Sequence, residues 1–162
     1  MRMGHGRQAR NAALAPRLRR LLGQAAKAMR RAYNPYSHFN VGAAVLNADG
    51  KVTTGANVEN AAYGDTICAE RAAILRANAM GRRKYVAVAI IGGPKEGESK
   101  APVAPCGSCR QVLFEASQLA EVDLIVVMSN STMSKVKVRT IRQLLPLAFG
   151  PNDIGIDLKD FR

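Results

Sequence analysis

Three cysteines stand in the chain, and two of them are spaced as Cys106-Gly-Ser-Cys109 inside the stretch "APCGSCRQ". A C-x-x-C pair supplies half of a tetrahedral zinc site or closes a redox disulfide. The third thiol, Cys68, lies well upstream, and the two histidines, His5 and His38, lie further still. Cys106 and Cys109 open a predicted helix, where three residues make ~300° of rotation, so both sulfurs leave from nearly one side. Helix N-termini favour thiolate, the form that binds zinc, through their unpaired N–H groups. Cys68 opens a second predicted helix in "ICAERAAI". Two helix starts bring three thiolates to one point and leave a fourth position open, the pattern of a catalytic zinc. A redox pair would leave Cys68 without a role.

Glu70 follows Cys68 by two residues. On a regular helix i and i+2 diverge by ~200°, so both face one ion only if Cys68 sits at the helix boundary. An acid in a first helical turn is also stabilising by itself.

The elements that must position these groups are legible from periodicity. Leu18, Leu21, Leu22, Ala25, Ala26 and Met29 mark an amphipathic helix from about Pro16 to Ala32. "NVGAAVLNADGKVTTGANV" reads as two strands joined at Asn47–Gly50. A helix is expected over 67–81 with Gly81 as its stop, then a buried strand over 84–93. A polar, proline-bearing loop over 94–105 reads as mobile. A helix over 106–118, strands over 122–130 and 134–140, and a helical turn ended by Pro146 complete the chain. Helices alternating with strands after an initial hairpin predict a mixed sheet with helices on both faces.

At 162 residues the chain is expected to form one domain. No run approaches the ~20 apolar residues of a membrane span. Three cysteines cannot close a disulfide framework, so a reducing, cytoplasmic setting is expected. The net charge is +12, and nine basic residues fall between Arg2 and Arg31, with Asp49 the first acid. Residues 1–13 read as a flexible basic extension and 14–162 as the domain. A basic face attracts nucleic acid or is simply solvated. No aromatics are interleaved with these arginines, which weakens a single-strand stacking platform.

The words "NPYSHFNVGAAV", "GANVENAAYGDTICAERAAI", "PCGSCRQVL" and "LLPLAFGP" occur in order across residues 15–152. Together they resemble the small zinc-dependent cytidine deaminases, and "CAE…PCGSC" resembles the zinc–glutamate pattern of nucleobase deaminases. A cysteine rather than a histidine as first ligand is similar to the homotetrameric branch. The resemblance implies a three-layer α/β/α cytidine-deaminase-like fold with a mixed five-stranded sheet. It implies one zinc per subunit held by Cys68, Cys106 and Cys109, and a hydrolase converting cytidine and 2′-deoxycytidine to uridine and 2′-deoxyuridine plus ammonia, a pyrimidine-salvage activity.

In that reading Glu70 is the proton carrier and Arg71 offsets thiolate charge by contacting the sulfurs. Phe39 stacks on the base, Asn57 and Glu59 bind the sugar 3′-OH, and the backbone at Ala69 lies beside the substrate. Tyr63 and Phe149 match residues at the subunit boundary, which implies a homotetramer with shared active sites. Asp65 departs from the family's usual apolar residue and would perturb the site or cap the helix with Thr66. Rival readings are a deaminase of a nucleoside antibiotic of the blasticidin type and a basic nucleic-acid-binding or editing protein.

Overall fold

The computed structural model describes residues 15–162. The expected basic extension, 1–13, and the expected first residue of the domain lie outside them. Five strands form one sheet in the order β2-β1-β3-β4-β5. They are β1 (Phe39–Asn47), β2 (Val52–Ala56), β3 (Tyr85–Pro94), β4 (Ile125–Asn130) and β5 (Val136–Thr140). β3 and β4 run parallel and the other neighbours antiparallel, so the sheet is mixed as expected. Four α-helices accompany it: α1 (Pro16–Met29), α2 (Ala69–Ala79), α3 (Gly107–Ala120) and the short α4 (Ile141–Leu144).

Alternation along the strands builds two cores. Ala44 and Leu46 of β1 and Ala87, Ala89 and Ile91 of β3 bury against Leu21, Leu22 and Ala25 of α1. Ala43 and Val45, with Val88 and Ile90, turn to the other face and meet Ala73, Ile74 and Ala77 of α2 and Leu113 and Phe114 of α3. A strand covered on both faces carries apolar residues without interruption, which explains the unbroken run "YVAVAII". The basic side chains of α1, among them Arg17, Arg19, Arg20 and Lys27, remain exposed.

Two glycines let the helices come close. A Cβ on Gly42 would stand 2.1 Å from the Ala25 carbonyl oxygen of α1. On Gly55 it would stand 2.5 Å from the Ala73 amide nitrogen and 2.7 Å from the Ala69 carbonyl oxygen of α2. No side chain fits either place.

Two helix boundaries and one loop differ informatively from expectation. α1 ends at Met29 rather than near Ala32, because the Tyr33 N–H is taken by the Asn57 carbonyl (3.0 Å) and the chain leaves the helix to reach it. α2 begins at Ala69 because Cys68 has an extended backbone, φ −66° and ψ 153°. The loop 94–105 is tied down: the Ser99 hydroxyl donates to the Gly92 carbonyl (2.7 Å) and accepts from the Ser131 N–H (2.8 Å). Gly81 closes α2 at φ +69°, as expected of a C-terminal glycine. Among the described residues no helix is long and apolar enough to cross a membrane.

Candidate functional site

The three sulfurs lie within 4.8 Å of one another. Tetrahedral Zn–S bonds of ~2.3 Å place ligand sulfurs ~3.8 Å apart, so the cluster needs little adjustment to hold an ion. Helix geometry produces the convergence. Cys68 caps α2 and Cys106 caps α3, both extended, while Cys109 sits in the first turn of α3. Because Cys68 precedes the helix, the ~200° divergence between i and i+2 does not apply, and Glu70 on the first turn shares its side. Both helix N-termini set the positive end of their dipole beside the thiols.

Arg71 bridges the two helix starts. Its guanidinium donates to the Thr66 carbonyl (2.6 Å) and reaches the Ser108 hydroxyl (3.4 Å). Its Nε is buried with no partner among the described residues. A thiolate cluster around a cation is the natural acceptor for such a donor. The thiol chemistry agrees. Hydrogen bonding from Cys109 pulls Cys68 down to about 6, helped by Cys106 and the Arg71 charge, and opposed by burial. Cys109 is pushed up, chiefly because it gives its proton to Cys68 and because it is buried. One thiolate is therefore already favoured, and donor set, spacing and orphaned Nε all fit a thiophilic dication.

Glu70 is only 4% exposed. Burial pushes its carboxyl up to about 7, with its own backbone N–H pulling the other way. A dication held by the sulfurs would also pull it down.

The other expected residues fall into two groups. Phe39, Asn57 and Glu59 are linked into one patch. The Asn57 amide donates to the Phe39 carbonyl (2.9 Å) and accepts from the Val41 N–H (2.8 Å). Glu59 accepts the N–H groups of Tyr36 (3.0 Å) and Ser37 (3.2 Å). These bonds and the Ser37 hydroxyl hold its carboxyl below the usual range, the hydroxyl first. Val58, between them, pairs antiparallel with Ile67, one residue before Cys68, so the patch adjoins the thiols. Ala69 is fully buried at the start of α2. Tyr63 and Phe149, by contrast, lie at the surface, 66% and 63% exposed. The Tyr63 ring leans on Tyr36 at 5.5 Å and 58°.

Asp65 is exposed in a 3₁₀ turn and does not cap α2, whose cap is Cys68. Sequence reasoning missed Arg110, which donates to the Pro105 carbonyl (2.9 Å) and the Leu144 carbonyl (3.0 Å), fixing the approach to α3. Its place beside Cys109 was the available signal. Two sizeable clefts, of ≈ 460 and ≈ 360 Å³, open by the C-terminal end of α3 and take in none of the cysteines. Of the three thiols Cys106 is exposed, Cys68 half-buried and Cys109 buried.

Residues 16–126 match the family described as the cytidine and deoxycytidylate deaminase zinc-binding region. A cytidine deaminase of Halalkalibacterium halodurans is 45% identical over 135 residues, covering 83% of this chain and 96% of that protein. The solved cytidine deaminase of Burkholderia pseudomallei superposes with a TM-score of 0.72 at 44% identity, covering 81% of this chain and 98% of its own. That of Mycobacterium tuberculosis gives 0.66 at 39% identity, covering 82% and 97%. These comparisons do not favour the antibiotic-deaminase or nucleic-acid readings.

Proposed function

This chain belongs to the cytidine and deoxycytidylate deaminase family, and we propose that it hydrolyses cytidine and 2′-deoxycytidine to uridine and 2′-deoxyuridine with release of ammonia. The observation that carries the reading is the buried Glu70 on the same helix start as Cys68, beside two further thiols. The family's zinc-binding region and this cysteine cluster fit one zinc ion per chain. When bound, zinc lowers the pKa of water towards ~7 and so supplies a nucleophile at neutral pH.

Glu70 takes a proton from the attacking water and gives it to N3 of the pyrimidine as the C4–O bond forms. C4 is then tetrahedral. Glu70 next carries the hydroxyl proton to the 4-amino group, the C4–N bond breaks, and ammonia leaves with the C4 carbonyl restored. A single carboxylate serves as base and then acid, and its near-complete burial keeps solvent from the transferred proton. Arg71 and the two helix N-termini hold the thiolates ionised.

Asn57 and Glu59 select the sugar. An ionised carboxylate offers about four acceptor sites, and Tyr36 and Ser37 donors fill three, leaving room for one hydroxyl. The 3′-OH is assigned that place and Phe39 the base. A substrate panel followed by ultraviolet loss of cytosine tests this. Cytidine and 2′-deoxycytidine are expected to react at comparable kcat/KM, and cytidine 3′-phosphate to fall by ~10²-fold or more, since a dianion replaces the donor facing Glu59. Equal turnover of the 3′-phosphate would refute the sugar assignment.

The working form proposed is a homotetramer. Tyr63, Leu147 and Phe149 are exposed apolar groups, and Cys106 is exposed within one chain. Sedimentation is expected to give four chains of 17.4 kDa, ~70 kDa, and a monomer would overturn it. A cytoplasmic location is proposed on the same chemistry, because a reducing compartment keeps three clustered cysteines as thiols.

A further inference from the structure

Past the far end of α2 the structure carries a second polar cleft. A cleft of ≈ 210 Å³ is lined by Asn47, Asp49, Arg82, Arg83, Lys84 and Arg162. It lies just past the end of α2, whose 11 residues span roughly 16 Å, so it stands about that far from Cys68 at the other end of that helix.

Asn47 is the informative residue. It is only 4% exposed, and its Oδ1 accepts no hydrogen bond from the described residues. Leaving a buried amide oxygen unpaired costs about 1–3 kcal/mol. The β1–β3 register shifts between Leu46 and Asn47, and such an irregularity re-aims a side chain.

Around this acceptor stand four cations and one acid. Arg82 donates to the Thr53 hydroxyl, and Arg83 to the Asn78 amide oxygen and the Phe161 carbonyl. These partners are neutral, so the two guanidinium groups are positioned without being neutralised. Lys84 makes no ion pair among the described residues, and Arg162 pairs with Glu121 on the rim. Asp49 is engaged by Lys51 (3.5 Å). The balance is a fixed positive field, and guanidinium forks match phosphate oxygens. Lys84 and Arg162 also line the adjoining ≈ 460 Å³ cleft, whose wall includes Val86, Ala120 and Val122. Anion cradle, orphan acceptor and apolar wall are thus contiguous.

We propose that this cleft is a binding site for a nucleoside 5′-monophosphate. The phosphate meets Arg82, Arg83 and Lys84, a sugar or base donor satisfies Asn47 Oδ1, and the base lies along the apolar wall.

The test is calorimetric titration of the zinc-loaded protein with adenosine 5′-monophosphate, in excess uridine to occupy the thiol site. Adenosine and inorganic phosphate are run beside it. Binding is expected at submillimolar Kd, at least tenfold weaker for either control. Lys84→Glu, at an exposed position, is expected to weaken it tenfold or more, and Asn47→Leu about fivefold, with cytidine turnover unchanged in both. The site is refuted by the absence of heat at millimolar nucleotide, by equal affinity for either control, or by an unchanged Kd in Lys84→Glu.

Discussion

Glu70→Gln is expected to lower kcat for cytidine by 10²–10⁴-fold while leaving zinc content and fold unchanged. Gln keeps the volume of the carboxyl and removes only the ability to exchange a proton. The side chain is buried, and burial already disfavours its charge, so neutralising it costs little stability. Because the proton moves only as bonds change, the loss belongs in kcat rather than in KM. The measurement is ultraviolet turnover of both proteins loaded with equal zinc, with a thermal melt as the control on folding. If wild type were no faster than the variant, Glu70 would not be the proton carrier.

Cys109→Ser is expected to abolish both stoichiometric zinc and turnover. Cys109 is fully buried in the first turn of α3 and contributes the innermost sulfur. A serine hydroxyl is shorter than a thiol and remains protonated at neutral pH, so it neither reaches nor neutralises a thiophilic ion. A second effect follows from topology. An ion held by Cys68 and by the 106–109 turn ties α2 to α3 across the intervening strand β3. A ligand at a thousand times its Kd stabilises the native state by about 4 kcal/mol, which for a chain of this size is ~8–16 °C in Tm. Chelation should therefore lower the wild-type Tm by about that amount and leave Cys109→Ser where it is. Zinc content by atomic emission and melts with and without chelator decide the matter. Retention of one zinc per chain in Cys109→Ser would remove Cys109 from the ligand set.

The strands and helices were legible because burial on both faces of the sheet writes itself into composition. β1 over 43–46 and β3 over 85–91 carry apolar residues at every step, and α1 carries them on one stripe. The thiol set was legible because three rare side chains sit at two helix starts. Cys68 facing the same way as Glu70 was only conditional, since it depends on which residue ends the extended segment. That boundary is set by the pairing of Val58 with Ile67, a contact nine residues apart. The double hydrogen bonding of Asn57 to β1 and the tethering of 94–105 by Ser99 were hidden for the same reason. Each is a side chain meeting backbone from elsewhere in the fold. The cleft around Asn47 joins the β1–β2 turn, the residues after α2 and the last residue of the chain, and no local pattern announces it.

Gly55 bears on how a loss-of-activity screen of this chain would read. It has no chemistry to offer, yet α2 rests on it through Ala69 and Ala73, the turn that carries Cys68 and Glu70. A methyl group there lifts that turn by tenths of an ångström or more, and displacing a reacting group by 1 Å costs on the order of 10²-fold. Some positions indispensable to turnover will therefore prove to be ones where the protein depends on having nothing at all.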